Sequence, residues 1–175
     1  MNLYSIFHIN TFYSSIEKKN KKNVLKLCYW PLLNLIERND FKIGIEASAN
    51  SLIEINNIDK SWIKKLAYLI YKKKVEFIGS GYTQAIFPII PFEVNNMNLK
   101  LGNEVYKKIL RIKPKIALVN EQIFSKSLVQ IYKKNGYKAL VVDWKNSKLA
   151  NKKLSNNTQY NCQITEDDQK IKLKL

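Results

Sequence analysis

Between Leu3 and Trp144 short apolar runs alternate with longer amphipathic ones, and that alternation is what builds a parallel sheet covered by helices. Five runs read as strands: Leu3–His8, Phe41–Glu46, Val75–Gly79, Ile116–Asn120 and Lys138–Val142, each rich in Ile, Val, Phe or Leu. The intervening segments carry helical periodicity. Trp62, Ile63, Leu66, Leu69 and Ile70 recur at three- and four-residue steps after the candidate cap Asp59, with lysines on the other face. Leu101, Val105, Tyr106, Ile109 and Leu110 repeat the pattern before Pro114, and Leu128, Val129, Ile131 and Tyr132 do so before Asn135-Gly136, where glycine can take the left-handed cap conformation. Tyr29–Ile36 reads as a further helix, with Pro31 tolerable near a first turn.

Such units fit either an open doubly wound sheet or part of a β/α barrel. The residues just beyond each strand favour the barrel: His8 and Asn10, then Glu46, then Ser80 and Tyr82, then Asn120 and Glu121, then Asp143. At the C-terminal edges of barrel strands, side chains converge on one mouth, whereas an open sheet binds ligands chiefly where the strand order reverses. Neither GxGxxG nor GxxxxGK[ST] occurs, which removes the usual nucleotide-binding versions of the open sheet.

Each candidate has a plainer reading beside it. Glu121 at the end of a buried strand is expected to be half desolvated and to act as nucleophile or acid; the alternative is an exposed glutamate leading a helix. Glu46 is either a substrate hydrogen-bonding group or a solvated loop acid ahead of Ser48-Ala49-Asn50-Ser51. His8 is either a satisfied core imidazole or a site residue. Asp143 with Trp144 could hold a sugar through carboxylate and ring, or Asp143 could cap the next segment. Gly79-Ser80-Gly81-Tyr82-Thr83-Gln84 marks a tight turn or a close ligand approach, and Ala85–Pro91 reads as a buried connection lining the mouth.

Composition narrows the function classes. Lys+Arg number 30 against 14 Asp+Glu, a net charge of +16 that nominates a polyanion partner. Yet Arg38 and Arg111 are the only arginines, while phosphate and base recognition favours the guanidinium fork. Lys (28), Ile (22) and Asn (20) are inflated together, the signature of an A/T-rich coding bias, so no specific nucleic-acid partner is expected and the lysine runs read as solvated helix faces. Cys28 and Cys162 make no disulfide framework. A single histidine excludes zinc sites that need two imidazoles. The longest uncharged run, Phe77–Phe92, is shorter than the roughly 18 residues of a membrane span and contains two prolines, and the first residues lack an export pattern. A cytoplasmic protein without a membrane partner is expected. Residues 1–146 are expected to form an incomplete β/α barrel domain, and residues 147–175 a polar connection and a terminal hairpin or edge strand of the same domain: Tyr160, Cys162 and Ile164 alternate before Glu166-Asp167-Asp168, and Ile171, Leu173 and Leu175 after it.

Taken in order, FHIN, CYWPLLNLI, IGIEAS, FIGSGYTQAIFPIIP, VNNMNLKLGNEVY, ALVNEQIFS, the Tyr132–Tyr137 stretch and ALVVDW resemble the N-terminal catalytic domain of glycoside hydrolase family 57, with its α-amylase-like members, over roughly residues 3–146. The resemblance implies a partial (β/α)7-type α/β barrel that cleaves or transfers α-glucosidic bonds in α-glucans or oligosaccharides with retention, through a covalent glycosyl-enzyme. It implies carboxylates about 5–5.5 Å apart and neither metal nor organic cofactor. By that resemblance Glu121 matches the nucleophile, Glu46 an acid that contacts substrate, and His8 the histidine of the first motif, here followed by Ile9-Asn10 in place of Gln-Pro. Apart from the resemblance, Tyr82 and Trp144 are expected to bind substrate by stacking on sugar. The family's general acid is an aspartate on a later strand, so none is expected among these residues, and Asp143 is not taken for it. The chain is accordingly expected to be a truncated enzyme or an inactive remnant, with a complementing chain or self-association through exposed strand edges as a further possibility. The competing readings are a non-catalytic carbohydrate-binding remnant, a metal-dependent polysaccharide deacetylase, which one histidine disfavours, and a basic nucleic-acid binder, which would show strong salt dependence.

Overall fold

The computed structural model describes residues 5–39, 42–143, 163–166 and 169–174, the last two stretches by backbone alone. Strands β1 (Ile6–Ile9), β2 (Ile43–Ala47), β3 (Val75–Gly79), β4 (Ile116–Leu118) and β5 (Ala139–Val141) pair in parallel and in chain order. Two more follow: β6 (Gln163–Glu166) runs antiparallel to β7 (Gln169–Lys174), and β7 lies parallel against β5. The expected hairpin thus adds to the same sheet. Among the described residues the sheet is open, with β1 and β6 at its edges, and the five-strand arc is the expected partial barrel.

Among the described residues six α-helices accompany these strands: α1 (Lys21–Val24), α2 (Trp30–Arg38), α3 (Ala49–Ile58), α4 (Lys60–Tyr71), α5 (Phe92–Leu110) and α6 (Leu128–Lys134). Asp59 caps α4 as anticipated, accepting from the Ser61 and Trp62 amides, and Gly136 takes φ +87 after α6. Helix α3 was not foreseen. Its buried Leu52 and Ile55 form too short an apolar pattern to stand out, and its start is set by Ser48, whose side chain accepts from the Ser51 amide. The helix around Pro31 begins earlier than its sequence suggests. A π turn at Leu25–Tyr29 joins α1 to α2, and the proline sits two residues after its end. Widening the turn there relieves the clash and the missing amide that proline would impose on a regular α-helix.

Strand register sorts side chains by face, because successive residues alternate. Ile45, Phe77, Ala117 and Leu140 are buried beneath the helices, in clusters that also hold Trp62, Leu66 and Tyr106 on one side and Phe87, Tyr132 and Tyr137 on the other. The opposite face carries Ile6, Ile78, Leu118 and Val141, packed with Ile116 and Ala139 in a smaller cluster. His8 and Glu46 share this second face, being in register with each other and with Ile78. It is the inner wall of the arc.

Two sequence expectations fail at the β3–α5 connection. Of Ala85–Pro91 only Phe87 is buried, stacked on Tyr132 with ring centroids 5.7 Å apart, while Ile89 is 78% exposed, because a short 3-10 turn at Phe87–Ile89 turns one side inward and the other out. Leu101 likewise lies on the exposed side of α5, whose buried positions are Asn95, Leu99, Gly102, Tyr106 and Leu110. Gly102 lets α5 rest on the β3 tip: a Cβ there would lie 2.6 Å from the Gly81 carbonyl carbon. Since that neighbour is backbone and cannot rotate away, Gly102→Ala is expected to cost about 1–3 kcal/mol of overpacking, against at most about 1 kcal/mol of helix propensity gained. A lower urea midpoint with unchanged slope is the result expected from chemical denaturation.

Candidate functional site

The site is assembled at the C-terminal tips of β1 to β4. Tyr106, fully buried on α5, organises two of these tips: its hydroxyl accepts from the Ser80 amide at 3.2 Å and lies 2.9 Å from the carbonyl oxygens of both Ala47 and Gly81. Burial pushes this phenol well above its ordinary pKa, and the charge of Glu46 adds to the effect, so it remains a donor. Asn120, buried after β4, donates to the Ser80 carbonyl at 3.1 Å and ties in the third tip.

Glu46 has 0% exposed side-chain surface, which excludes the solvated loop acid. It sits inside β2, and its Oε2 is in direct contact with Nδ1 of His8, whose side chain is 43% exposed. His8 is therefore not a core imidazole but the half-exposed partner of a buried carboxylate. The hydrogen bond to Glu46 raises its pKa first of all; burial opposes this, and the charges of Glu46 and Glu121 reinforce it.

Glu121 lies in a short turn, Asn120–Gln122, and is exposed, not half desolvated as its sequence context suggested. The reason is that β4 ends at Leu118, leaving Glu121 beyond the sheet, with φ +54 there and φ +55 at Gln122. Left-handed backbone at two consecutive residues with side chains costs about 1–2 kcal/mol each, and strain of this kind collects at functional sites. Its charge still acts on His8, so the tips of β1, β2 and β4 address one region.

Three buried polar atoms at these tips, Glu46 Oε1, Ser80 Oγ and Thr11 Oγ1, have no hydrogen-bond partner. Other buried polar atoms away from the tips, Trp62 Nε1 and Tyr132 Oη among them, share this condition, so it does not by itself mark the site. Gln84 completes the visible cluster, with its Nε2 3.0 Å from His8 Nε2 and its Oε1 3.2 Å from Asn10 Nδ2. Its place five residues beyond the end of β3 concealed it; the Gly79–Gly81 turn that folds it back toward β1 is the signal that could have pointed there. Tyr82 stands apart. It lines an apolar groove of about 430 Å³ with Ala85, Ile90, Met97 and Leu101, and none of His8, Glu46 or Glu121 reaches that groove. Trp144 lies outside the described residues, and Asp143 is exposed after β5. Among the described residues no group of three or more His, Cys, Asp and Glu could hold a metal, and no helix is long and apolar enough to cross a membrane.

Glycosyl hydrolase family 57 matches residues 5–174, nearly the whole chain. The chain belongs to this family. It is 27% identical over 120 residues to alpha-amylase 1 of Dictyoglomus thermophilum, a match covering 67% of the chain and 17% of the amylase. The fold is shared with the 4-alpha-glucanotransferase of Thermococcus litoralis at TM-score 0.82 and 17% identity, over 97% of the chain and 26% of that enzyme. It is shared also with the GH57-type branching enzyme of Pyrococcus horikoshii at TM-score 0.73 and 14% identity, over 97% of the chain and 46% of the enzyme. This chain thus spans less than half the length of these relatives.

Because His8 is the only histidine in the sequence, its titration can be followed in the intact chain without assignment. Its midpoint is expected above the roughly 6.5 of an unperturbed imidazole and is expected to fall in Glu46→Gln, as read from the ring proton shifts. A folded-state pKa raised above the unfolded one means that the couple's contribution to stability is complete below about pH 6.5 and is lost as pH rises through the folded value. Urea midpoints measured across that window should decline in the native sequence and less so in Glu46→Gln.

Proposed function

We propose that this family 57 domain acts on α-glucosidic bonds of an α-glucan or related oligosaccharide with retention of configuration, Glu121 being the nucleophile. What carries the reading is placement: His8 covers buried Glu46 at the tips of β1 and β2, and Glu121 stands exposed on left-handed backbone just beyond β4, whose tip Asn120 ties to the Ser80 carbonyl. A carboxylate oxygen of Glu121 attacks the anomeric carbon, the bond from that carbon to the leaving oxygen breaks, and water later releases the sugar. The leaving oxygen takes its proton from an aspartate on a later strand, by the family resemblance, and Asp143 does not serve in its place. His8 lines the sugar site with its half-exposed ring and Glu46 acts from beneath by holding that ring, while Tyr82 and Trp144 are assigned to further sugar units as stacking aromatics.

An activated α-glucosyl fluoride tests the nucleophile without needing that acid, because fluoride departs with little help from protonation. Mass spectrometry of the digested chain is expected to find one glucosyl group on the Glu121 peptide, absent from Glu121→Gln. Saturable binding of malto-oligosaccharides with no adduct under the same conditions would instead make the domain a carbohydrate-binding module, and the assignment of Glu121 would fail.

A further inference from the structure

The amide orientations around His8 are fixed from outside the site. The Tyr13 backbone N–H, which can only donate, meets Oδ1 of Asn10 at 2.8 Å. Asn10 must then turn its Nδ2 toward Gln84, whose acceptor Oε1 faces it at 3.2 Å. That leaves Gln84 Nε2 pointing at His8 Nε2 at 3.0 Å, and an amide N–H there requires an unprotonated ring nitrogen. The remaining ring proton lies on Nδ1 and is given to Glu46 Oε2. Every bond in the series runs in one direction, so each polarises the next and the series ends on the buried carboxylate.

We infer that Asn10 and Gln84 are positioning residues that hold His8 as its neutral, Nδ1-protonated tautomer, with Nε2 occupied by Gln84 and therefore not available to donate a proton to a ligand. Asn10 is itself pinned. The Tyr29 hydroxyl accepts from its amide and donates to its carbonyl, each at 3.2 Å. The groups facing His8 are Glu46 from β2, Glu121 from the turn after β4, Gln84 from the β3–α5 connection, and Tyr29 and Cys28 from the π turn. Both carboxylates favour the imidazolium, while the Gln84 donor opposes it. Protonation of Nε2 breaks the Gln84 bond unless that amide turns over, and turning over sets two N–H groups of Gln84 and Asn10 against each other.

The inference rests on hydrogen-bond geometry alone, so the outcome of the glucosyl-trapping experiment does not bear on it. On the alkaline side of the titration, long-range ¹H–¹⁵N correlation spectra of the ¹⁵N-labelled full chain should show a pyrrole-like Nδ1 and a pyridine-like Nε2 for its single histidine. Observation of the Nε2-protonated tautomer would overturn the inference with no variant needed. Gln84→Ala removes the opposing donor and is expected to raise the His8 midpoint by about half to one pH unit. Asn10→Ala, which does not touch the imidazole, should raise it in the same direction by freeing Gln84 to turn over, and the double variant should add little beyond Gln84→Ala. Unchanged midpoints in both single variants, or a fall in either, would reduce the series to scaffolding and refute the assignment.

Discussion

A carboxylate with no exposed surface has to have its charge answered by its neighbours, and in this protein that requirement orders the whole upper edge of the sheet. Glu46 is placed inside β2 by register, facing the inner wall. One oxygen is met by His8 and the other is left without a donor. Losing such a partner at a buried charge is far more disruptive than losing a surface ion pair, which ordinarily contributes less than about 1 kcal/mol. The tips of β1 and β2 therefore cannot shift against each other without exposing or abandoning that charge. Tyr106 applies a similar constraint between β2 and β3, and Asn120 between β3 and β4.

Geometry of this kind also separates what is rigid from what is exposed. His8, Gln84 and Asn10 form a closed hydrogen-bonded patch on the surface of the inner wall, supported from beneath by Glu46 and from the side by Tyr29. Glu121 differs in character, since it stands on a turn with unfavourable backbone angles and has solvent around it. A fixed binding wall opposite a strained, accessible carboxylate is an arrangement suited to a sugar ring that must be held while one of its bonds is attacked.

The sheet was legible in the sequence because parallel strands buried on both faces appear as continuous Ile, Val and Phe runs, and all five appear at their expected places, β3 at its expected bounds and the others with ends shifted by at most three residues. Helices α4, α5 and α6 were legible from their periodicity, whereas α3 was hidden by its short apolar pattern and by asparagines that read equally well as loop. The residue types at the strand tips were also visible: His8, Glu46, Asn120 and Glu121 could be named from position alone. Their surroundings were not. That Glu46 would be buried under His8, while Glu121 would be exposed, depends on where β4 ends and how the strands register, neither of which is encoded locally. Gln84 was legible only as the end of the glycine turn, and its contacts were hidden for the same reason: its partners are 74 and 76 positions away in the chain.

The π turn ahead of Pro31 has a bearing beyond accommodating that proline. It amounts to one extra residue wound into a helix, and each residue of an α-helix advances the winding by about 100°. The widened turn takes up that residue within itself, so the helix on either side keeps its phase and Tyr29, the last residue of the turn, stays against Asn10. A single deletion in the regular winding that follows has no such slack and would turn one flank by about 100° against the other. Length changes in this covering helix are therefore absorbed at the turn and transmitted to the binding wall elsewhere.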